Sequence, residues 1–277
     1  THHFIQTTRV DSKFGFSISD GTALEAIKSV SQRPHIEFSG IHCHIGSQIF
    51  ELKPFELAVE KMTDFILAIK KETGLKVSEL NMGGGYGVTY TEEDKPLKPE
   101  EYVKAIVAKL NECISDKKIE KPRLILEPGR SIVGEAGITL YTVGAIKEIK
   151  GIKKYISVDG GMFENPRYAL YEAKYEAVMA DRMLEEKTET VTVAGKCCES
   201  GDMLVVDAKL PRAQSGNLLA VLTTGAYNYS MASNYNRNPV PPVVLVNEGK
   251  SDYIVKPQTY EDIMSRDVYP YWSERTK

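Results

Sequence analysis

The sequence contains little cysteine, little excess charge and no long apolar run. Its four cysteines form no disulfide framework in 277 residues, which favours a reducing, cytoplasmic location. A net charge of -3 with mixed signs argues against general affinity for nucleic acid or for an anionic membrane. No apolar stretch approaches the roughly 20 residues that span a bilayer. The first residues do not combine a basic start with an apolar stretch, so we expect no signal peptide there.

Histidine is also scarce, with five residues and none after His44. His42 and His44 lie two residues apart in a predicted strand, so their side chains face the same side. A catalytic metal bound by such a pair would need further histidines from later strands, and the sequence has none. We therefore predict no metal site. Histidines with satisfied hydrogen bonds in a core remain an alternative.

Helix and strand patterns alternate between about residues 20 and 130. Three predicted helices begin at Asp20, Pro54 and Pro99. Predicted strands lie in the segment IEFSGIHCHIG, in 77–82 and in the segment RLILEPGR. Three such βα units in series imply parallel strands with right-handed crossovers. The predicted buried stripes of the second and third helices are Ala58, Met62, Phe65, Ile66 and Ile69, then Val103, Ile106, Val107, Leu110 and Ile114.

After residue 130 the sequence changes to short β-runs separated by glycine, proline and asparagine, such as TETVTVAG and DMLVVDAK. This pattern is typical of a mostly antiparallel β-domain. A helix at about 166–183 is expected to interrupt it. The sequence therefore predicts two domains, an α/β domain over 1–130 and a β-domain over 131–277.

Polar or glycine-rich sequence follows each predicted parallel strand. The three endings are HIGSQ at 44–48, GGGYG at 83–87 and EPGR at 127–130. Ligands bind at the carboxyl ends of strands in α/β barrels and doubly wound sheets, so we expect a binding site here. The glycine run lacks the dinucleotide fingerprint. It is either a simple turn or a loop whose backbone N–H groups approach a phosphate.

Glu127 and Arg130 close the third of these endings. The two residues could form a local ion pair. Alternatively, the carboxylate could lie under a ring nitrogen while the guanidinium binds an anion. Pyridoxal phosphate needs both contacts, because a carboxylate keeps its ring nitrogen protonated and able to withdraw electrons.

The segment GKCCESGD at 195–202 places two cysteines beside acidic residues. A structural zinc site would need two more cysteine or histidine ligands at suitable spacing, and none is evident. Adjacent cysteines rarely bond to each other. A thiol that donates a proton and a pair of buried structural cysteines remain open on local grounds.

Six segments together resemble the fold-type III pyridoxal-phosphate decarboxylases, in the same order along the chain. They are HCHIGSQ, NMGGGYG, EPGRSIVGEAG, DGGMFENPRYALYEA, CCESGD and GAYNYSMASNYN. The resemblance implies α/β plus all-β architecture, with part of an alanine-racemase-like (β/α)8 barrel followed by a carboxy-terminal β-domain. It also implies a homodimer with shared active sites.

The resemblance assigns a cofactor site for pyridoxal phosphate. His44 would stack on the cofactor ring and count among the catalytic residues, and Glu127 would pair with the ring nitrogen. Ser47, Gly85, Gly129 and Tyr227 would lie at the phosphate. The remaining cofactor-binding residues would be Gly83, Gly84, Pro128 and Arg130.

The resemblance also implies a substrate with two carboxylates and two amines. Arg130, Arg167 and Tyr171 would hold the distal carboxylate, with Tyr227 near the substrate, and Glu199 would accept the distal amine. Cys198 would supply a proton to the substrate Cα after carbon dioxide has left. The neighbouring carboxylate of Glu199 disfavours a second negative charge and so favours the neutral thiol.

These assignments imply decarboxylation of meso-diaminopimelate to L-lysine. Alternatives are a decarboxylase of ornithine, arginine or a carboxylated polyamine, and a non-catalytic homologue with the same fold. The family's Schiff-base lysine, in a segment of the form Tyr-Ala-x-Lys-Ala, has no counterpart here. Three βα units also cannot close an eight-stranded barrel. We therefore expect the chain to be the carboxy-terminal part of a longer enzyme, inactive by itself.

Overall fold

The computed structural model describes residues 13–270, and the chain divides into two units between Ala136 and Gly137. The predicted boundary after residue 130 falls inside a short helix that still belongs to the first unit. The opening segment THHFIQTTRVDS, on which the expectation about a signal peptide rests, lies outside the described residues.

The first unit alternates helices with a parallel sheet. Its elements are α1 (Thr22–Ser31), β1 (Gly40–His42), α2 (Lys53–Thr73), β2 (Glu79–Asn81), α3 (Pro99–Lys117), β3 (Arg123–Ile125) and α4 (Arg130–Val133). The sheet has the order β1-β2-β3, and both strand pairs are parallel. The predicted series of three βα units is therefore confirmed, with strands of three residues each.

The helix ends follow the sequence signals in most places. Pro99 begins α3, and α2 ends before Gly74, which adopts a left-handed φ of 73°. The predicted cap at Asp20 is displaced by one residue. Gly21 is the N-cap of α1, while the carboxylate of Asp20 accepts hydrogen bonds from the backbone N–H and hydroxyl of Thr22.

The core of the first unit lies between the helices and the sheet. All five residues of the predicted α2 stripe are buried. In α3 the buried face is rotated by about one residue: Val103 and Val107 are exposed, whereas Tyr102 is fully buried. The ring of Tyr102 stacks on Tyr86 with centroids 5.0 Å apart, and its hydroxyl donates to the Ile49 carbonyl at 2.9 Å. The aromatic cluster therefore determines which face of α3 is buried, and it supports the loops that follow β1 and β2.

The second unit is built on antiparallel β-structure. Its elements are β4 (Thr139–Ile149), β5 (Lys153–Val158), α5 (Arg167–Tyr171), β6 (Ala177–Met179), β7 (Glu189–Ala194), β8 (Met203–Leu210), β9 (Leu218–Val221), β10 (Val243–Asn247), β11 (Lys250–Val255) and α6 (Tyr260–Met264). A six-stranded sheet has the order β6-β9-β4-β5-β7-β8, and β10 pairs with β11. The β5–β7 pair is parallel and the others are antiparallel, as expected for a mostly antiparallel domain.

The predicted helix at 166–183 is wrong in extent. Helix α5 has five residues and ends at Tyr171, and the C-cap residue Glu172 has a left-handed φ of 51°. The chain then forms β6, in which Ala177 and Met179 are buried and pair with β9. Pairing with a distant strand decides this segment, because its own sequence is rich in helix formers.

Among the described residues, no helix has both the length and the apolar character needed to cross a lipid bilayer.

Candidate active site

The strand endings of the first unit converge around Glu127. Asn81, the last residue of β2, donates from its side chain to the Glu127 carboxylate at 2.6 Å. The amide oxygen of Asn81 accepts from the Gly83 N–H at 2.9 Å. His42, the last residue of β1, has its Nε2 3.8 Å from the same carboxylate. Asn81 therefore orients the predicted carboxylate, a role that sequence analysis missed because it depends on pairing between β2 and β3.

The glycine run permits the strand endings to approach one another closely. A side chain at Gly84 would clash with the Glu127 carbonyl, and one at Gly85 would clash with the Gly46 carbonyl. A Cβ at Gly83 would lie 2.9 Å from Nδ1 of His44. Gly83 and Gly85 also have left-handed φ values of 66° and 106°, which favour glycine. The glycine run is thus more than a flexible turn, because it lets the loop after β2 fit between the loops that follow β1 and β3.

His44 lies against this glycine turn. Its Nδ1 accepts from the Gly84 N–H at 3.4 Å, so this nitrogen carries no proton in that contact. Partial burial is the main cause that lowers the pKa of His44, and the nearby His42 lowers it further. These effects favour the neutral imidazole at physiological pH.

Arg130 forms a buried polar cluster beside the glycine turn. It begins α4 directly after Gly129, and it is 8% exposed. Its guanidinium donates to the hydroxyl of Ser47 at 3.1 Å and to the hydroxyl of Tyr90, and it lies 5.4 Å from the Tyr90 ring centroid. The predicted residues Ser47 and Arg130 are therefore in direct contact. Tyr90 was missed because nothing in the sequence around it marks it as part of a site.

In the second unit, Arg167 lies between two tyrosine rings. Arg167 and Tyr171 are four residues apart in α5 and therefore share one helix face. The guanidinium carbon lies 5.7 Å from the Tyr171 ring centroid and 5.6 Å from that of Tyr227. Arg167 is 6% exposed, and Tyr227 adopts a left-handed φ of 64°. The structure thus brings together three predicted substrate residues.

The loop between β7 and β8 presents Cys198 and Glu199. Cys198 is exposed, and its N–H donates to the side-chain oxygen of Asn236 at 3.3 Å. The hydroxyl of Tyr235 donates to the Glu199 carboxylate, which raises the pKa of Tyr235 to about 12. Tyr235 and Asn236 belong to the predicted GAYNYSMASNYN segment, but their contacts with this loop were not predicted.

All four cysteines are free thiols. Cys197 is half-buried, and burial together with the nearby Asp202 raises its pKa to about 11. Burial likewise raises the pKa of Cys43 to about 11. Among residues 13–270, no three histidine, cysteine or acidic side chains are grouped so that they could hold a metal ion.

The predicted site residues thus form two sets, one in each unit. The set of the first unit consists of His44, Ser47, Gly83, Gly84, Gly85, Glu127, Pro128, Gly129 and Arg130. The set of the second unit consists of Arg167, Tyr171, Cys198, Glu199 and Tyr227. The first set combines an acid at a strand end, a glycine turn and a buried arginine beside a hydroxyl. The second set combines an arginine between two tyrosine rings with an exposed thiol.

The first unit and the whole chain are similar to pyridoxal-dependent decarboxylases in sequence. Residues 1–134 match the family model described as "Pyridoxal-dependent decarboxylase, pyridoxal binding domain". Its relatives include the diaminopimelate decarboxylases of Bacillus subtilis (strain 168), 50% identical over 268 residues, and of Staphylococcus aureus (strain COL), 47% identical over 269 residues. Each alignment covers 97% of this chain, but only 61% and 63% of the relative. The chain thus spans about three fifths of the length of these relatives.

Solved structures are similar to this chain over nearly all of its length. The diaminopimelate decarboxylase from m. jannaschi has a TM-score of 0.87 at 35% identity, covering 98% of this chain and 61% of that one. The Helicobacter pylori enzyme complexed with L-lysine has a TM-score of 0.83 at 31% identity, covering 96% and 63%. These similarities confirm the predicted partial barrel with a β-domain. The match of residues 1–134 to a pyridoxal-binding domain indicates pyridoxal 5'-phosphate as the cofactor.

Proposed function

We propose that the full-length protein carrying this chain decarboxylates meso-diaminopimelate to L-lysine and carbon dioxide. The observation that carries the proposal is 50% identity to a diaminopimelate decarboxylase along 97% of the chain. The proposal is also supported by Arg167, Tyr171 and Glu199, to which the resemblance assigns the second carboxylate and the second amine of the substrate. The activity would be that of the complete protein, since this chain has no lysine in a segment like that of the family's Schiff base.

The residues of the first unit fit pyridoxal phosphate. Glu127 offers a carboxylate, oriented by Asn81, that would keep the ring nitrogen protonated. Ser47, which accepts a hydrogen bond from Arg130, offers a hydroxyl for the phosphate, and Gly85 permits close backbone approach. His44 would stack on the ring, and Gly83, Gly84, Pro128 and Gly129 would complete the wall of the site. When bound, the cofactor supplies a ring that withdraws the electrons left by the departing carboxylate.

The residues of the second unit would bind and protonate the substrate. Arg167 and Tyr171, with Arg130, would hold the distal carboxylate, because a guanidinium forms strong, directional hydrogen bonds with a carboxylate. Glu199 would accept the distal amine, with Tyr235 fixing its carboxylate. Tyr227 would lie near both substrate and phosphate.

Cys198 would act as the proton donor. The S–H bond of its thiol breaks as the new C–H bond forms at the substrate Cα, and the thiolate then regains a proton from water. The exposure of Cys198 supports this role, because a thiol that protonates a substrate has to be accessible.

We also propose that two copies of the complete protein form a dimer in which the Cys198 loop of one subunit serves the cofactor of the other. Segregation of the two residue sets into separate units is compatible with such sharing. Four free thiols are typical of a reducing compartment, so we propose a cytoplasmic location.

The test is lysine formation by the purified full-length protein with pyridoxal phosphate. We expect release of carbon dioxide from meso-diaminopimelate, and strongly reduced turnover of ornithine and arginine, which lack the distal carboxylate. The Cys198→Ala variant should lose most of this activity, while Cys113→Ala, a core substitution in α3, should keep it. Preferential turnover of ornithine or arginine would contradict the substrate assignment. A protein without decarboxylase activity would favour a non-catalytic homologue.

A further inference from the structure

Asp202, at the end of the CCESGD segment, is a buried carboxylate to which the proposed mechanism assigns no task. It is 3% exposed, although it lies beside a surface loop. A carboxylate removed from water is costly unless it accepts strong hydrogen bonds, so its partners indicate what it holds in place.

Two backbone N–H groups bind this carboxylate, one from each of two loops. Met162 N–H donates to Oδ1 at 2.7 Å, and Cys197 N–H donates to Oδ2 at 2.6 Å. Met162 belongs to the loop between β5 and α5, which leads to Arg167. Cys197 immediately precedes the proposed proton donor. The side chain of Asp202 therefore joins the loop that carries the thiol to the loop that carries the substrate arginine.

Two glycines make room for this carboxylate. A Cβ at Gly161 would lie 2.7 Å from Oδ2, and a Cβ at Gly195 would clash with both carboxylate oxygens. In contrast, a Cβ at Gly201, in the same loop, would meet no atom within 4 Å. The need for glycine at two of these positions is thus set by Asp202 itself.

The backbone of Asp202 closes the same loop. Its carbonyl accepts from Gly195 N–H at 2.9 Å, and its N–H donates to the Glu199 carbonyl at 3.1 Å. A further bond from Lys196 N–H to the Gly160 carbonyl, at 2.9 Å, runs parallel to the carboxylate bridge. The loop 195–202 is therefore fixed at its base, where the bonds to Asp202 lie, as well as at its tip.

We propose that Asp202 is a positioning residue that sets the location of the Cys198 thiol relative to the loop leading to Arg167. This inference rests on the proposed function, in which Cys198 donates the proton and Arg167 binds the substrate. Asp202 itself touches neither substrate nor cofactor in this mechanism. Its contribution is to the geometry of proton delivery, which is sensitive to displacements of about 1 Å.

The test compares Asp202→Asn with Asp207→Asn in the full-length enzyme. Asn has the shape of Asp but turns an amide donor towards one of the two N–H groups, so the bridge is lost. Asp207 is an exposed acid in β8 and serves as the control. We expect kcat per bound cofactor to fall at least about tenfold in Asp202→Asn, with a larger solvent deuterium isotope effect on kcat and little change in KM. The control should match the wild type.

Thiol alkylation provides a readout that does not depend on activity. Iodoacetamide modification, localised by peptide mass spectrometry, should attack Cys197 severalfold faster in Asp202→Asn, because the anchor of its N–H is lost. If the full-length protein makes no lysine but this change occurs, the proposed function fails while the positioning role stands. Wild-type kcat, isotope effect and alkylation pattern, even with a lower melting temperature, would overturn the positioning role.

A second pair of variants covers the case in which Asp202→Asn fails to fold. Gly195→Ala keeps the carboxylate but displaces it, whereas Gly201→Ala adds the same methyl group to open space. We expect the loss of kcat and the altered alkylation in Gly195→Ala and not in Gly201→Ala. Equal behaviour of these two variants would refute the inference.

Discussion

Glu164 should make the stability of the protein fall as pH rises towards neutrality. This carboxyl group is 5% exposed. It accepts from the Tyr141 hydroxyl at 2.7 Å and from the Gly161 N–H at 2.9 and 3.0 Å. Burial is the main cause that raises its pKa, from 4.5 to about 7, and the charge of Asp202 adds to it. The hydrogen bonds oppose this change but do not cancel it.

The direction of the pH effect follows from proton binding. Between pH 4.5 and about 7 the folded protein keeps the proton on Glu164, whereas the unfolded chain has lost it. The free energy of unfolding therefore decreases as pH rises through this window. A difference of about 2.5 pKa units corresponds to about 3 kcal/mol, complete once the pH exceeds the folded value. Below pH 4.5 the contribution is absent, because both states are protonated.

The assay is calorimetric melting of the full-length enzyme and its Glu164→Gln variant from pH 5 to pH 8. The amide cannot titrate, so the variant should gain stability relative to the wild type as pH rises, by up to about 3 kcal/mol at pH 8. Glu186→Gln, an exposed acid of the same unit, should follow the wild type at every pH. A constant difference in melting temperature between Glu164→Gln and the wild type would refute the argument.

Three further predictions concern the site, and each is checked in the full-length enzyme. Arg167→Ala should reduce kcat/KM for meso-diaminopimelate about thirtyfold to several-hundredfold, or about 2–4 kcal/mol. The control Arg212→Ala, at an exposed position, should leave kcat/KM unchanged. Equal losses for a substrate without the distal carboxylate would contradict the assignment. A Cys198→Ala subunit mixed with one lacking the Schiff-base lysine should regain about a quarter of the activity, and an inactive mixture would exclude shared sites. Gly84→Ala should destabilise the enzyme by about 1–3 kcal/mol and weaken cofactor binding, because the methyl group would clash with the Glu127 carbonyl. Cofactor binding is measured by absorbance, and an unchanged cofactor affinity would contradict this prediction.

The order of elements in the first unit was predictable because local periodicity and end signals agree there. Pro99 and Gly74 mark helix ends, and the α2 stripe has the spacing of one helix face. The glycine run and the acid at Glu127 follow parallel strands, and such strands place their carboxyl ends at one edge of the sheet. These features depend on residues close together in the chain. The family resemblance likewise depends on short segments in a fixed order.

Contacts between distant residues were decided only by the tertiary structure. The buried face of α3 follows from stacking of Tyr102 on Tyr86, which no spacing within the helix encodes. The segment expected as a helix at 166–183 ends early because β6 pairs with β9, about forty residues further along the chain. In both cases a long-range contact outweighs a local preference of a few tenths of a kcal/mol per residue.

The same distinction applies to the site. The sequence by itself predicted the acid, the arginines and the thiol as site residues, since each belongs to a short motif. Only the folded chain shows that Asn81 orients Glu127, that Tyr235 binds Glu199, and that Asp202 joins two loops. Apart from Cys197, which is five residues from Asp202, the partners of these supporting groups lie 36 to 46 residues away in the chain. Their roles arise from hydrogen-bond geometry, which exists only after strands and loops have come together.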